Sequence, residues 1–133
     1  MNLEKLYPRV VLERQLGEDK MEPIRIAYQS YVDESQGETY WKHLKAHFDD
    51  IVDDGTSVDI KGITPPDSFA HPISEMRCAR EMIVNGIRAE RDGYDAFAVG
   101  HFQDAGLYEA RSALDIPVHG LGEASMLYAC QLG

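Results

Sequence analysis

From Pro23 onward, short apolar runs alternate with longer stretches in which apolar residues recur every three or four positions. The first run, PIRIAY (23–28), is rich in β-branched residues and reads as a strand. Residues 34–54 then set Trp41, Leu44, Phe48, Ile51 and Val52 on one helical stripe. Ser35 and Glu38 stand at capping-box spacing at its start, and Gly55 stops it. SVDIKGI (57–63) alternates apolar and polar residues, the pattern of a strand wetted on one face at a sheet edge. The proline-rich TPPDSFAHP (64–72) is a loop. Residues 74–93 form a second helix, capped by Ser74 and ended by Gly93, with Met76, Ala79, Met82, Ile83, Gly86 and Ile87 as its core stripe. DAFAVG (95–100) is continuously apolar, as in a strand buried on both faces. DAGLYEARSAL (104–114) is a third helix with Asp104 as N-cap. IPVHGL (116–121) gives a fourth strand, and GEASMLYACQLG (122–133) opens a fourth helix.

Strand and helix alternate four times at spacings that suit right-handed crossovers, which predicts an α/β fold. The expected form is a three-layer, flavodoxin-like parallel four-stranded sheet in the order 2-1-3-4, with the alternating second strand outermost. Residues 23–133 make this one domain. Residues 1–22, of mixed charge with Pro8 and Gly17 and no clean period, are expected to be an N-terminal extension. Connections leave the first and third strands in opposite directions, and ligands of such sheets bind beyond the carboxyl ends of the strands at that switch. The loops 29–35 and 100–104 meet there, so His101 falls in the predicted crevice. Histidine there can act as a general acid or base, because imidazole exchanges protons near neutral pH. The helix starts at 104–107 and 122–125 offer unpaired amides that attract an anion.

Charge and composition narrow the partners. With 13 basic and 23 acidic residues the formal charge is −10, which opposes non-specific nucleic-acid binding. No apolar run is long enough for a membrane span, and the N-terminus lacks the features of a signal peptide. Cys78 and Cys130 stand far apart, without metal spacing, which fits a reducing compartment and a cytoplasmic protein. Both are expected to be small buried hydrophobes rather than nucleophiles. His43 and His47 share a helix face but have no third ligand beside them, so no metal is expected. No glycine-rich phosphate loop or nucleophile elbow occurs, and no cofactor is expected. A receiver domain shares the sheet order, but Asp33 and Asp104 lie several residues too late to serve as its acidic cluster and phosphate acceptor.

Residues 96–126, AFAVGHFQDAGLYEARSALDIPVHGLGEASM, carry a specific combination of motifs. An apolar strand leads into a turn with Phe102, Asp104, Gly106 and Leu107. Then Ile116, Pro117 and Val118 run into Gly120, Gly122, Glu123, Ala124 and Met126. In these residues the chain resembles the aspartate/glutamate/hydantoin racemase superfamily, most closely its hydantoin (allantoin) racemase branch, over residues 24–133. The resemblance implies one of two similar α/β domains that face each other across a cleft, where two cysteines move a proton on a carbon acid without a cofactor. His101 stands where that family has its first cysteine, and Tyr28, Gln29 and Ser30 stand where it has a substrate-holding Pro-Asn-Thr turn. The second cysteine has no counterpart, because the chain ends at Gly133, about where the family begins its second domain.

The resulting expectation is a cofactor-independent racemase, isomerase or lyase acting on a small carboxylate or cyclic ureide. His101 is the expected acid/base. Gln29, Ser30, Phe102, Asp104, Gly122, Glu123 and Ala124 are the expected substrate contacts. A single domain supplies half of the cleft, which implies either a homodimer or a truncated half of a longer enzyme. The alternative expectation is a small-molecule-binding or assembly protein that keeps the fold without the chemistry.

Overall fold

Four strands and four helices alternate along the chain: β1 (Ile24–Ser30), α1 (Glu38–Ile51), β2 (Thr56–Lys61), α2 (Pro72–Arg91), β3 (Ala96–Gly100), α3 (Leu107–Ala113), β4 (Val118–Gly120) and α4 (Leu121–Gln131). The computed structural model describes residues 22–35, 37–67 and 71–133. The expected N-terminal extension lies outside the described residues, apart from Glu22. All strand pairs are parallel and the sheet order is β2-β1-β3-β4, as the alternation predicts. β3 is an inner, wholly apolar strand: Phe97 and Val99 are buried on one face, while Ala96 and Ala98 on the other are partly buried. β2 is the edge, with Val58 turned inward and Ser57, Asp59 and Lys61 exposed. The core is built from Ile63, Met82, Phe97, Val99, Leu107, Leu114 and Val118. α2 packs on β1, β3 and α3. On the other face, α1 and α4 flank an apolar groove of about 370 Å³ floored by Ile26, Tyr28, Val58 and Ala98.

Helix starts depart from the sequence pattern. The expected capping box does not form: α1 begins at Glu38 after Gly37, with no side-chain cap. Ser35 is drawn away because its amide and hydroxyl both donate to Asp33 Oδ1. Ser74 lies inside α2, which starts at Pro72 and is capped by His71 Nδ1 accepting from Ile73 N. Proline at a first helical position leaves no donor unsatisfied, so the helix reaches back past the serine. Asp104 is not the N-cap of α3 either. That helix starts at Leu107 after Gly106, whose φ of 84° is a left-handed conformation glycine adopts without strain.

The buried seam of α2 runs through Cys78, Met82, Asn85 and Ala89, with Ala79 and Gly86 beside it, while Met76 is exposed. A polar residue inside the seam hid it from an apolar count. Asn85 is tolerated there because its amide nitrogen donates to Gln29 Oε1 at 2.9 Å. Cys78 is buried as expected, whereas Cys130 is exposed on α4.

Candidate functional site

Ser30 and Gly100 are the last paired residues of β1 and β3. The residue after each extends the ladder as a ring pair: Tyr31 and His101 stack with centroids 4.5 Å apart and planes 14° from parallel. The loop after β2 folds back over this pair. Ile63 N donates to Val32 O at 2.9 Å, and Asp67 N donates to Tyr31 O at 3.0 Å. Asp67 is thereby carried from the sheet edge to the switch between β1 and β3. In the first turn of α2, the Ser74 hydroxyl donates to Asp67 Oδ1, and Glu75 stands next to it. His101 Nε2 then lies 3.6 Å from Asp67 Oδ2 and 3.7 Å from Glu75 Oε1. Asp67 Oδ2 and His101 Nε2 are both buried without a hydrogen-bond partner.

The field in this pocket is negative. Burial, followed by Cys78, Asp67, Glu75 and Asp104 nearby, holds the Tyr31 phenol well above its ordinary pKa of 10.0. The neutral phenol donates to Ala105 O at 2.6 Å, which ties the ring to the loop after β3. Burial raises the Cys78 thiol as well, and its side chain lies in the core.

The other expected site residues are mostly engaged in holding the crevice together. Gln29 is 1% exposed, and its amide nitrogen donates to Ser30 O, Lys61 O and Gly62 O while its oxygen accepts from Asn85. Ser30 is equally buried; its Oγ accepts from Val32 N and contacts the Tyr40 hydroxyl. Asp104 caps α4: its Oδ1 accepts from Gly122 N at 3.0 Å and its Oδ2 from Glu123 N at 2.5 Å. The anion-attracting start of α4 therefore holds the chain's own carboxylate. Glu123 pairs with Arg111, which keeps its carboxyl below the ordinary carboxylate value. Ala124 lines the groove between α1 and α4. Phe102, 58% exposed, has its side chain at the surface of the turn.

Asp67 and Glu75 were not singled out in the sequence. The signal was available, since the loop after β2 and the start of α2 also end at the carboxyl side of a parallel sheet. A loop leaving the edge strand reaches the switch only by folding inward, and no periodicity reports that. Among the described residues, Asp67, Glu75 and His101 form a group whose ligand-type atoms all lie within 4.8 Å of one another. His43 and His47 are exposed on α1.

Residues 35–133 match the family model described as Asp/Glu/Hydantoin racemase. Among solved structures, the allantoin racemase from Klebsiella pneumoniae is similar at 21% identity and a TM-score of 0.69, over 81% of this chain and 43% of that one. The chain thus spans less than half the length of that protein, and the likeness is one of fold. No curated protein matches it. The family match runs from the end of the loop after β1 through α4 and takes in Asp67, Glu75 and His101: the chain belongs to the Asp/Glu/hydantoin racemase family.

Proposed function

We propose that the crevice binds a small carboxylate or cyclic ureide and moves a proton at its acidic carbon, with His101 as the acid/base. One observation carries this reading: the His101 imidazole stands at the switch between β1 and β3, stacked on Tyr31 and facing two carboxylates. A histidine so placed can take a proton from an acidic carbon and return it. The reaction needs no redox partner, because the proton leaves the carbon to the imidazole and returns to the carbon. Phe102 is the expected substrate contact whose side chain is uncommitted, while Gln29, Ser30, Asp104, Gly122 and Glu123 hold the crevice from behind. We further propose a cytoplasmic homodimer whose second copy faces the crevice. Its support is the exposed apolar side chains of α4.

The test is exchange of the acidic carbon hydrogen for deuterium, followed by proton NMR with allantoin, simple hydantoins, aspartate and glutamate. Wild type is expected to exchange at least one of these, and His101→Ala to be slower by about 10²-fold or more. Equal rates for the two proteins would remove His101 from the chemistry. The second reading, binding without turnover, is favoured by the engagement of Gln29, Ser30 and Asp104 in internal hydrogen bonds. Binding of one of these ligands with no exchange above buffer would establish it.

A further inference from the structure

We propose that Asp67, Glu75 and His101 form a binding site for one divalent transition-metal cation of the zinc type. The donor set is one imidazole nitrogen and two carboxylate oxygens, the mixed nitrogen and oxygen ligation such ions prefer. The nitrogen-to-oxygen distances are 3.6 and 3.7 Å. Ligand atoms of a tetrahedral site with bonds of about 2.0–2.1 Å stand roughly 3.3–3.4 Å apart, and the three donor atoms lie within 4.8 Å of one another, so closure draws the two carboxylates toward the imidazole and toward each other. Three protein ligands leave a fourth position for water or an oxygen of a bound molecule.

A second observation points the same way. The Asp67 side chain is 1% exposed, and its Oδ2 has no hydrogen-bond partner while facing the equally unpartnered His101 Nε2. Leaving a buried carboxylate oxygen unpaired is costly, and a cation meets both atoms at once. Among the described residues, no lysine or arginine pairs with Asp67 or Glu75, so their two formal charges are available to balance a dication. The outer shell is in place: Ser74 holds Asp67 Oδ1, and Tyr31 stacks on the imidazole.

A proton and a cation are alternatives at Nε2, so the metal-loaded protein is a separate state of the pocket. The inference concerns binding and stands apart from the proton transfer proposed above. The full chain, stripped with a chelator, is titrated with Co²⁺ while the visible ligand-field band is followed, and with Zn²⁺ by calorimetry. One cation per chain is expected. Asp67→Asn, Glu75→Gln and His101→Gln should each weaken binding by about 10-fold or more, and Ser74→Ala should also weaken it. His43→Gln and His47→Gln should leave it unchanged. In the unaltered protein, bound Co²⁺ should perturb the amide resonances of Tyr31, Asp67, Glu75 and His101 before any others. No binding at about 100 μM metal would overturn the proposal. So would affinity indifferent to the three ligand substitutions, or resonances perturbed first on α1. Metal binding by a chain that, when metal-free, shows no deuterium exchange would remove the proposed reaction and leave this site standing.

Discussion

Asp104 occupies a left-handed backbone conformation at φ 50°, and from there both carboxylate oxygens reach the first amides of α4. Gly122 makes that approach possible. A Cβ at Gly122 would sit 2.0 Å from the Phe102 carbonyl oxygen, so α4 starts directly against the turn that carries His101. Aspartate and asparagine tolerate the left-handed region better than most residues, and aspartate also suits the positive end of a helix dipole. Asp104→Ala orphans two amides and is expected to lower stability by about 1–2 kcal/mol. Asp104→Asn keeps an acceptor and the backbone conformation, so it should cost clearly less. Urea unfolding midpoints compare the three proteins. If the alanine variant unfolded with wild type, Asp104 would hold nothing together and its oxygens would be free for a ligand after all.

At the scale of elements, the strand order and the sequence of elements were legible because burial writes itself into periodicity. DAFAVG is apolar throughout because β3 is an inner strand, with Phe97 and Val99 buried on one face and Ala96 and Ala98 lining the apolar groove on the other, and SVDIKGI alternates since β2 is an edge. Helix starts were less legible, because Ser74 and Asp104 each bond to a partner that only the folded chain brings near, while Ser35 is taken by Asp33 two residues before it. His101 could be placed from its position after a buried strand, whereas Asp67 and Glu75 had only the general topology rule to point to them, since loop closure puts them there. Asp33 shows how that loop is fixed. Its Oδ1 accepts from the Ser35 amide and hydroxyl and from the Thr64 hydroxyl, and these bonds hold its pKa below the ordinary 3.8. A lowered folded value means the contribution is full above the unfolded pKa and is lost as pH falls through the folded one. Asp33→Asn should therefore melt lower at neutral pH and show a flatter acid limb in its melting temperature below about pH 4. The Asp67 amide, bonded to Tyr31 O, should exchange faster with deuterium in the variant. An unchanged acid limb would mean that Asp33 does not anchor the loop.

The whole molecule carries its apolar surface unevenly. α4 exposes Met126, Leu127 and Tyr128 at 57%, 61% and 64%, and Leu132 at its C-terminal cap is 73% exposed. Ile51 of α1, 57% exposed, stands at the groove beside it. Scattered apolar side chains are ordinary on a surface, but a run of them on one helix next to an apolar groove marks a face that gains from a partner. A second copy satisfies both requirements of the proposed function, since it covers α4 and supplies a second crevice with its own His101. Sedimentation of the chain is expected to give about 30 kDa, twice the 15.0 kDa of one copy. Leu127→Asp places a charge in the covered face and should shift the mass to one copy. Because Leu127 is exposed within the chain, its circular dichroism and unfolding midpoint should stay near those of wild type at low concentration. Deuterium exchange on substrate should fall with the dimer fraction if each cleft is built from two copies. A wild-type chain that sediments as one copy and still exchanges substrate would show that a single crevice around His101 is enough.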